Sequence, residues 1–217
     1  MPPVALALVA AALTASAWAI RAHYLGESAR GQVYVAKPLA TLLILALAFV
    51  LVPIRDDYRW LIAAGLLFSL AGDVFLMLPR DRFVAGLASF LVAHLCYVAA
   101  FSADVPFGAA PLFWPPFFAA GGVVLALVWP GLKPALRAPV AAYVVVIAAM
   151  AAQAAGRWSL LGGGAALSAA IGAGLFMASD TVLAINRFRW PFRAGRAINL
   201  AAYWAAQLLI AFSVSAG

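Results

Sequence analysis

Eight apolar runs, separated by short polar or turn-rich segments, organise the chain; they cover about residues 4–20, 35–53, 60–78, 83–101, 109–129, 138–155, 160–185 and 197–215. Each approaches the roughly 20 apolar residues that an α-helix needs to cross a bilayer. The runs are continuous rather than alternating, which predicts helices instead of the two-residue period of barrel strands. Short connections make neighbouring helices antiparallel. Trp18, Trp60, Trp129, Trp158 and Trp190 fall at or near run ends, where interfacial aromatic residues belong. Pro111, Pro115 and Pro116 crowd the start of the fifth run and predict that this helix starts or kinks there. The pattern predicts an all-α, polytopic integral membrane bundle of eight transmembrane helices, one domain over residues 1–217 without soluble modules.

Composition agrees with that reading. The chain is 67% hydrophobic and 10% charged, against about 45–50% and about 25% in soluble domains. A formal charge of +7 would ordinarily raise nucleic acid as a partner. Here the basic residues sit in short loops between apolar runs, a pattern that orients a membrane protein and attracts anionic lipid instead. Cys96 is the single cysteine and forms no internal disulfide. Met1-Pro2-Pro3 puts no positive charge before the first run, so that run is expected to be a retained span rather than a signal peptide.

Orientation follows from the loop charges. The odd-numbered loops hold ten basic residues: Arg21, Arg30, Arg80, Arg82, Lys133, Arg137, Arg187, Arg189, Arg193 and Arg196. The even-numbered loops hold three: Arg55, Arg59 and Arg157. The excess places the odd loops in the cytoplasm and both termini outside, with the bacterial inner membrane as the expected location.

Two carboxylates lie inside apolar runs, Asp73 in Gly72-Asp73-Val74-Phe75 and Asp180 in Ser179-Asp180-Thr181. A buried charge in a bilayer is costly, so such groups face a protein interior or a wet cavity. Each precedes a cytoplasmic helix end by five residues, roughly 7–8 Å at 1.5 Å per residue. Lys37 begins the second run from the same side, and Tyr143 lies a comparable distance into the sixth. Asn199, Tyr203 and Gln207 form a stripe of period four on the eighth run; Gly86, Phe90, His94, Tyr97 and Phe101 form one on the fourth. These groups are expected to converge in the cytoplasmic half. Plainer readings stand beside this one: the aspartates as structural partners of Lys37, Lys37 as a snorkelling interfacial cation, His94 as a core residue, and Tyr97, Tyr143, Asn199, Tyr203 and Gln207 as interhelical hydrogen bonders. Asp56, Asp57, Asp81, Asp104 and Glu27 read as loop charges. The Asp73 and Asp180 blocks, four helices apart, fit either a four-plus-four parallel repeat or chance similarity. No metal-ligand spacing, nucleophile elbow or phosphate loop is present, and Gly162-Gly163-Gly164 reads as a flexible helix start.

Around these residues the sequence resembles the YhhN-type lysoplasmalogenase family. The resemblance rests on Lys37-Pro38, Gly72-Asp73-Val74-Phe75-Leu76-Met77, Phe83, Gly86, Leu87, Phe90, Leu91, His94, Tyr97, Tyr143 and Met150. It continues through Gly174-Leu175-Phe176, Ser179-Asp180, Leu183-Ala184, Phe188, Tyr203 and Gln207-Leu208-Leu209-Ile210. It implies hydrolysis of the vinyl-ether bond of lysoplasmalogen, a lysophospholipid, to a fatty aldehyde and a glycerophospho-base. Protonating the β-carbon of a vinyl ether calls for a carboxylic acid kept neutral, and burial in low dielectric provides one. The resulting oxocarbenium ion calls for a nearby anion, as paired carboxylates supply in glycoside hydrolysis. Asp73 and Asp180 are therefore the candidate catalytic pair. Lys37, His94, Tyr97, Tyr143, Asn199, Tyr203 and Gln207 are candidate substrate contacts, with the phosphate near Lys37 or loop arginines. No cofactor is required. A small transporter or proton-coupled carrier using the same carboxylates is the alternative, and a structural lipid-binding protein the third reading.

The charge asymmetry makes a direct prediction: reporter fusions at either terminus should read as external, and a tag in the Arg187–Arg196 loop as cytoplasmic. An internal C-terminus contradicts the charge argument.

Overall fold

The computed structural model describes residues 1–215. Its helices are α1 (Pro3–Tyr24), α2 (Arg30–Val50), α3 (Asp56–Met77), α4 (Phe83–Phe101), α5 (Trp114–Val128), α6 (Pro134–Leu161), α7 (Gly163–Phe188) and α8 (Gly195–Phe212). No strand occurs among the described residues. Seven of these segments are long and apolar enough to cross a membrane. The exception is α8, whose 18 residues include Arg196, Asn199 and Gln207. The polar stripe that marked this run in the sequence is what lowers its hydropathy.

Prolines set several boundaries. Pro115 and Pro116 occupy the first turn of α5, where a missing N–H costs nothing. Pro38 and Pro139 lie inside α2 and α6, so these helices run through residues that the hydrophobic pattern read as their beginnings. As a result α2 starts at Arg30 rather than near residue 35, and Lys37 sits two turns inside it. Membrane helices tolerate such prolines because neighbouring groups satisfy the freed carbonyl. At the other end of the bundle α6 runs on to Leu161, and only Gly162 separates it from α7. Gly162 and Gly163 have φ of 66° and 75°, a left-handed conformation that suits glycine alone. This junction is a defined reversal, not a loose helix start.

Tight hairpins α1–α2, α3–α4 and α7–α8 provide the main packing, and α6 packs on α4, α5 and α7. A Cβ on Gly72 would lie 2.6 Å from the Phe90 ring, and one on Gly65 2.2 Å from the Tyr97 ring, so α3 and α4 approach through glycine. Helix α7 packs on α5, α6 and α8, with no comparable backbone contact to α3 or α4. The crevice between α7 and the α3–α4 hairpin is the feature that positions the site. It is strapped at one end by Arg187, which ion-pairs with Asp81 at 2.9 Å and stacks over Phe83 at 4.2 Å, while Phe83 meets Phe188 edge to face.

The opposite end is held by a second polar cluster. Arg157 donates to both carboxylate oxygens of Asp104, at 2.8 and 2.7 Å, and lies 4.9 Å over the Tyr58 ring. The Gln153 amide donates to the carbonyls of Phe101 and Val105 and accepts from the Gly108 N–H. Asp104 and Arg157, which the sequence offers as solvated loop charges, are thus a largely buried staple between the α4–α5 connection and α6. Asp104→Asn should leave a buried guanidinium uncompensated and cost about 3–5 kcal/mol. Thermal unfolding in detergent checks this: a large drop is expected for the single variant, and partial recovery when Arg157→Met is added.

Candidate functional site

The two intramembrane aspartates have different surroundings. Asp73, on α3, is 1% exposed. Its Oδ1 pairs with Lys37 Nζ at 3.1 Å, and its Oδ2 accepts from Thr41 Oγ1 and the Tyr203 hydroxyl, each at 2.7 Å. Lys37 also donates to the Asp73 carbonyl at 3.3 Å, and Trp204 Nε1 donates to Thr41 Oγ1 at 3.3 Å. Three donors, one of them a cation, surround this carboxylate. A buried carboxylate needs partners of this kind.

Asp180, on α7, is partly exposed. Its Oδ2 accepts a short hydrogen bond from the Tyr143 hydroxyl, and no cation lies within ion-pair distance among the described residues. Each aspartate is therefore bound by a hydroxyl from the preceding helix, Thr41 on α2 or Tyr143 on α6. Only one of them has a lysine as well.

One cavity lies in the crevice and a second adjoins it. The first is walled by apolar residues including Leu76, Phe83, Leu87, Phe90, Val140, Ile147 and Met177, with Tyr143 and Asp180 as its main polar features. The other, between α1, α2 and α8, is lined by His23, Arg30, Lys37, Arg187, Arg196 and Asn199, with Glu27 as the only acid of its lining. Leu76, Phe83 and Leu183 line both, so the cavities adjoin.

The expected site residues thus separate into groups. Tyr143 and Asp180 line the apolar cavity, and Lys37 and Asn199 the basic one. Asp73, His94, Tyr97, Tyr203 and Gln207 line neither. Asp73 and Asp180 consequently do not share one cavity wall, contrary to the expectation from their spacing. Asp73 and Tyr203 sit directly behind, in the ion-pair network. Tyr97 donates to Gln207 Oε1 at 2.7 Å, away from both cavities. His94 is fully buried, edge-on to Phe176 at 4.6 Å and to Tyr143 at 5.1 Å. Asn199 donates its amide to the Ser179 carbonyl and hydroxyl, clamping α8 to α7.

Several residues escaped the sequence reading. Thr41 follows Lys37 by four residues, so one helical face presents both to Asp73, a spacing that could have identified it. Phe176, one turn before Asp180, is the aromatic hub behind the site and touches the rings of Phe90, His94 and Tyr203. Arg196 and Arg187 were counted as loop charges, yet both face the basic cavity.

Comparison with known proteins follows the same residues. The YhhN family model matches residues 32–214. The Escherichia coli O157:H7 protein named Uncharacterized membrane protein YhhN is 34% identical over 207 residues, covering 94% of this chain and 96% of its own. The Homo sapiens protein Lysoplasmalogenase TMEM86B is 38% identical over 156 residues, covering 72% of this chain and 64% of its own. The Lysoplasmalogenase of Mycobacterium tuberculosis (strain CDC 1551 / Oshkosh) is 35% identical over 178 residues, covering 77% and 64%. The chain thus matches just under two thirds of the length of these two lysoplasmalogenases. No solved structure gives a significant match.

Removing Lys37 should expose how Asp73 is held. Lys37→Met leaves a buried carboxylate uncompensated, at about 3–5 kcal/mol, and Asp73→Asn in the same chain should restore much of the loss. Detergent unfolding midpoints of the two single variants and the double variant test this. Additive losses with no recovery contradict a coupled pair.

Proposed function

The chain belongs to the YhhN family, and on that premise we propose that it is a lysoplasmalogenase-like ether hydrolase with Asp180 as its general acid. It is an integral membrane protein, with seven helices apolar and long enough to span and relatives named as membrane proteins. The reading treats the whole chain as one transmembrane domain. The loop charges support external termini in a bacterial inner membrane, with both cavities toward the cytoplasmic face.

The observation that carries the assignment is the contrast between the two carboxylates. Asp73 has a lysine and two hydroxyl donors, so its oxygens are already engaged. Asp180 has one hydroxyl donor, apolar walls and, among the described residues, no cation within ion-pair distance, and it is the carboxyl that a substrate in the apolar cavity meets. With Tyr143 donating to Oδ2, the acidic proton resides on Oδ1.

An alkenyl chain lying between Phe90, Ile147 and Met177 brings its vinyl ether to Asp180. The carboxyl proton passes to the β-carbon, and the π-electron pair forms the new C–H bond. The charge left behind is an oxocarbenium ion, facing the newly formed Asp180 carboxylate. Water adds to the α-carbon and gives its proton to Asp180, which restores the acid. The hemiacetal then collapses: its hydroxyl proton moves to the glycerol oxygen, the C–O bond breaks, and a fatty aldehyde and a glycerophospho-base leave. In this scheme Asp73 positions Lys37 and Tyr203, and the mechanism consumes no cofactor.

Asp180→Asn keeps size but removes the transferable proton. It should lower kcat by about 10²–10⁴, the range of general acid catalysis, with little change in KM. Tyr143→Phe should lower kcat less, because the acid remains but loses its orientation. The measurement is vinyl-ether hydrolysis by purified protein in detergent, without any gradient. Near-normal turnover by a folded Asp180→Asn variant sinks the assignment, and absence of turnover in the unaltered protein favours a carrier.

A further inference from the structure

We propose that the basic cavity is a phosphate-recognition site whose principal ligand is Arg196, and that the phosphate it takes is carried by a lipid headgroup. This rests on the hydrolase reading above for its occupant, and on the charges of the cavity for its chemistry.

Arg30, Lys37, Arg187 and Arg196 line the cavity against the single acid Glu27. Three of these cations already have a carboxylate: Arg30 pairs with Glu27 at 2.5 Å, Lys37 with Asp73 at 3.1 Å, and Arg187 with Asp81 at 2.9 Å. Arg196 has no carboxylate within ion-pair distance among the described residues. Its nearest polar partner is His23, whose Nδ1 lies 3.4 Å from Nη1. That contact engages one nitrogen of the guanidinium and leaves its charge unmatched. Arginine stays protonated at any physiological pH, and its planar fork matches two oxygens of a phosphate.

The backbone that carries Arg196 is fixed on two sides. The Ala197 N–H donates to the Tyr24 hydroxyl, which itself donates to the Arg193 carbonyl. One turn on, Asn199 is clamped to Ser179 of α7. The guanidinium is therefore presented from a rigid junction of α1, α7 and α8, not from a free loop. Lys37 lines the same cavity but is held by Asp73, so Arg196 carries the unmatched charge that an anion there meets.

Position selects the source of the phosphate. The basic cavity shares Leu76, Phe83 and Leu183 with the apolar one that holds Asp180. A single amphiphile can place its chain in one and its phosphate in the other, with the glycerol crossing the common wall. A free phosphate would leave the apolar cavity unused.

The test uses the full chain, purified in detergent, with Arg196→Gln and Arg196→Lys. Four probes are compared: a 1-alkenyl glycerophospholipid, the same alkenylglycerol without phosphate, a non-hydrolysable 1-alkyl glycerophospho analogue read by binding, and inorganic phosphate as a competitor. Loss of a charge-assisted contact is expected to raise KM for the phospholipid roughly 10- to 100-fold in Arg196→Gln. The preference for phosphate-bearing over phosphate-free substrate should collapse by the same factor, and analogue binding should weaken in parallel. Arg196→Lys keeps the charge but not the fork and should recover part of the loss; it also serves if the glutamine variant fails to fold. Unchanged KM and analogue affinity, or equal losses on both substrates, overturn the proposal. Inorganic phosphate that competes as tightly as the lipid assigns the cavity to free phosphate and overturns the headgroup source. If no vinyl ether is hydrolysed at all, the reaction reading fails, while analogue binding to unaltered and Arg196→Gln protein still decides the phosphate site.

Discussion

A charged pair inside an apolar bundle is the constraint from which the arrangement follows. Lys37 and Asp73 are both nearly inaccessible and 3.1 Å apart. Neither charge is affordable there alone. Keeping both requires that α2 and α3 pack in one register, and the remaining lone pairs of Asp73 draw in Thr41 and, from α8, Tyr203. Three helices are fixed at one point by one carboxylate. The pair leaves Asp73 with both oxygens engaged, and in the proposed reading the proton donor is the other aspartate, which among the described residues has no cation within ion-pair distance.

The crevice between α7 and the α3–α4 hairpin gives that chemistry a shape. Backbone contact across it is sparse, and large side chains such as Leu76, Phe83 and Phe90 bridge it, leaving an apolar cleft next to a basic one. A single-chain amphiphile has the same division into apolar and anionic parts. In the proposed reading, the vinyl ether lies where the two parts meet, within reach of Asp180. The Asp81–Arg187 pair and the Phe83–Phe188 contact close the crevice at its headgroup end.

Much of this was legible in the residues. The apolar runs located eight helices, and the cost of intramembrane charge singled out Asp73, Asp180 and Lys37. The period-four stripe on α8 included Tyr203, which does meet Asp73. What spacing could not settle was direction. A buried carboxylate can turn toward a partner or toward a cavity, and only the packing of α2 against α3 decides that Asp73 does the first. Helix starts were misread at Pro38 and Pro139, because proline interrupts a hydrophobic pattern without ending a membrane helix. Asp104 and Arg157 stand between apolar runs and so read as solvated, and Asp81 and Arg187, which are indeed exposed, carry no local sign of pairing. The partners lie 53 and 106 positions apart in the chain, a separation that no local pattern encodes. Arg196 was counted for topology alone, since its cavity exists only once α1 and α8 are side by side.

The central claim is that two aspartates in one bundle are held in opposite protonation states by their partners. Infrared difference spectroscopy of the purified protein at neutral pH reads this directly, through the carbonyl stretch of a protonated carboxyl and its shift in heavy water. The account predicts one such band, present in the unaltered protein and in Asp73→Asn and absent from Asp180→Asn. A band that survives in Asp180→Asn and disappears in Asp73→Asn would reverse the roles of the two residues and contradict the account.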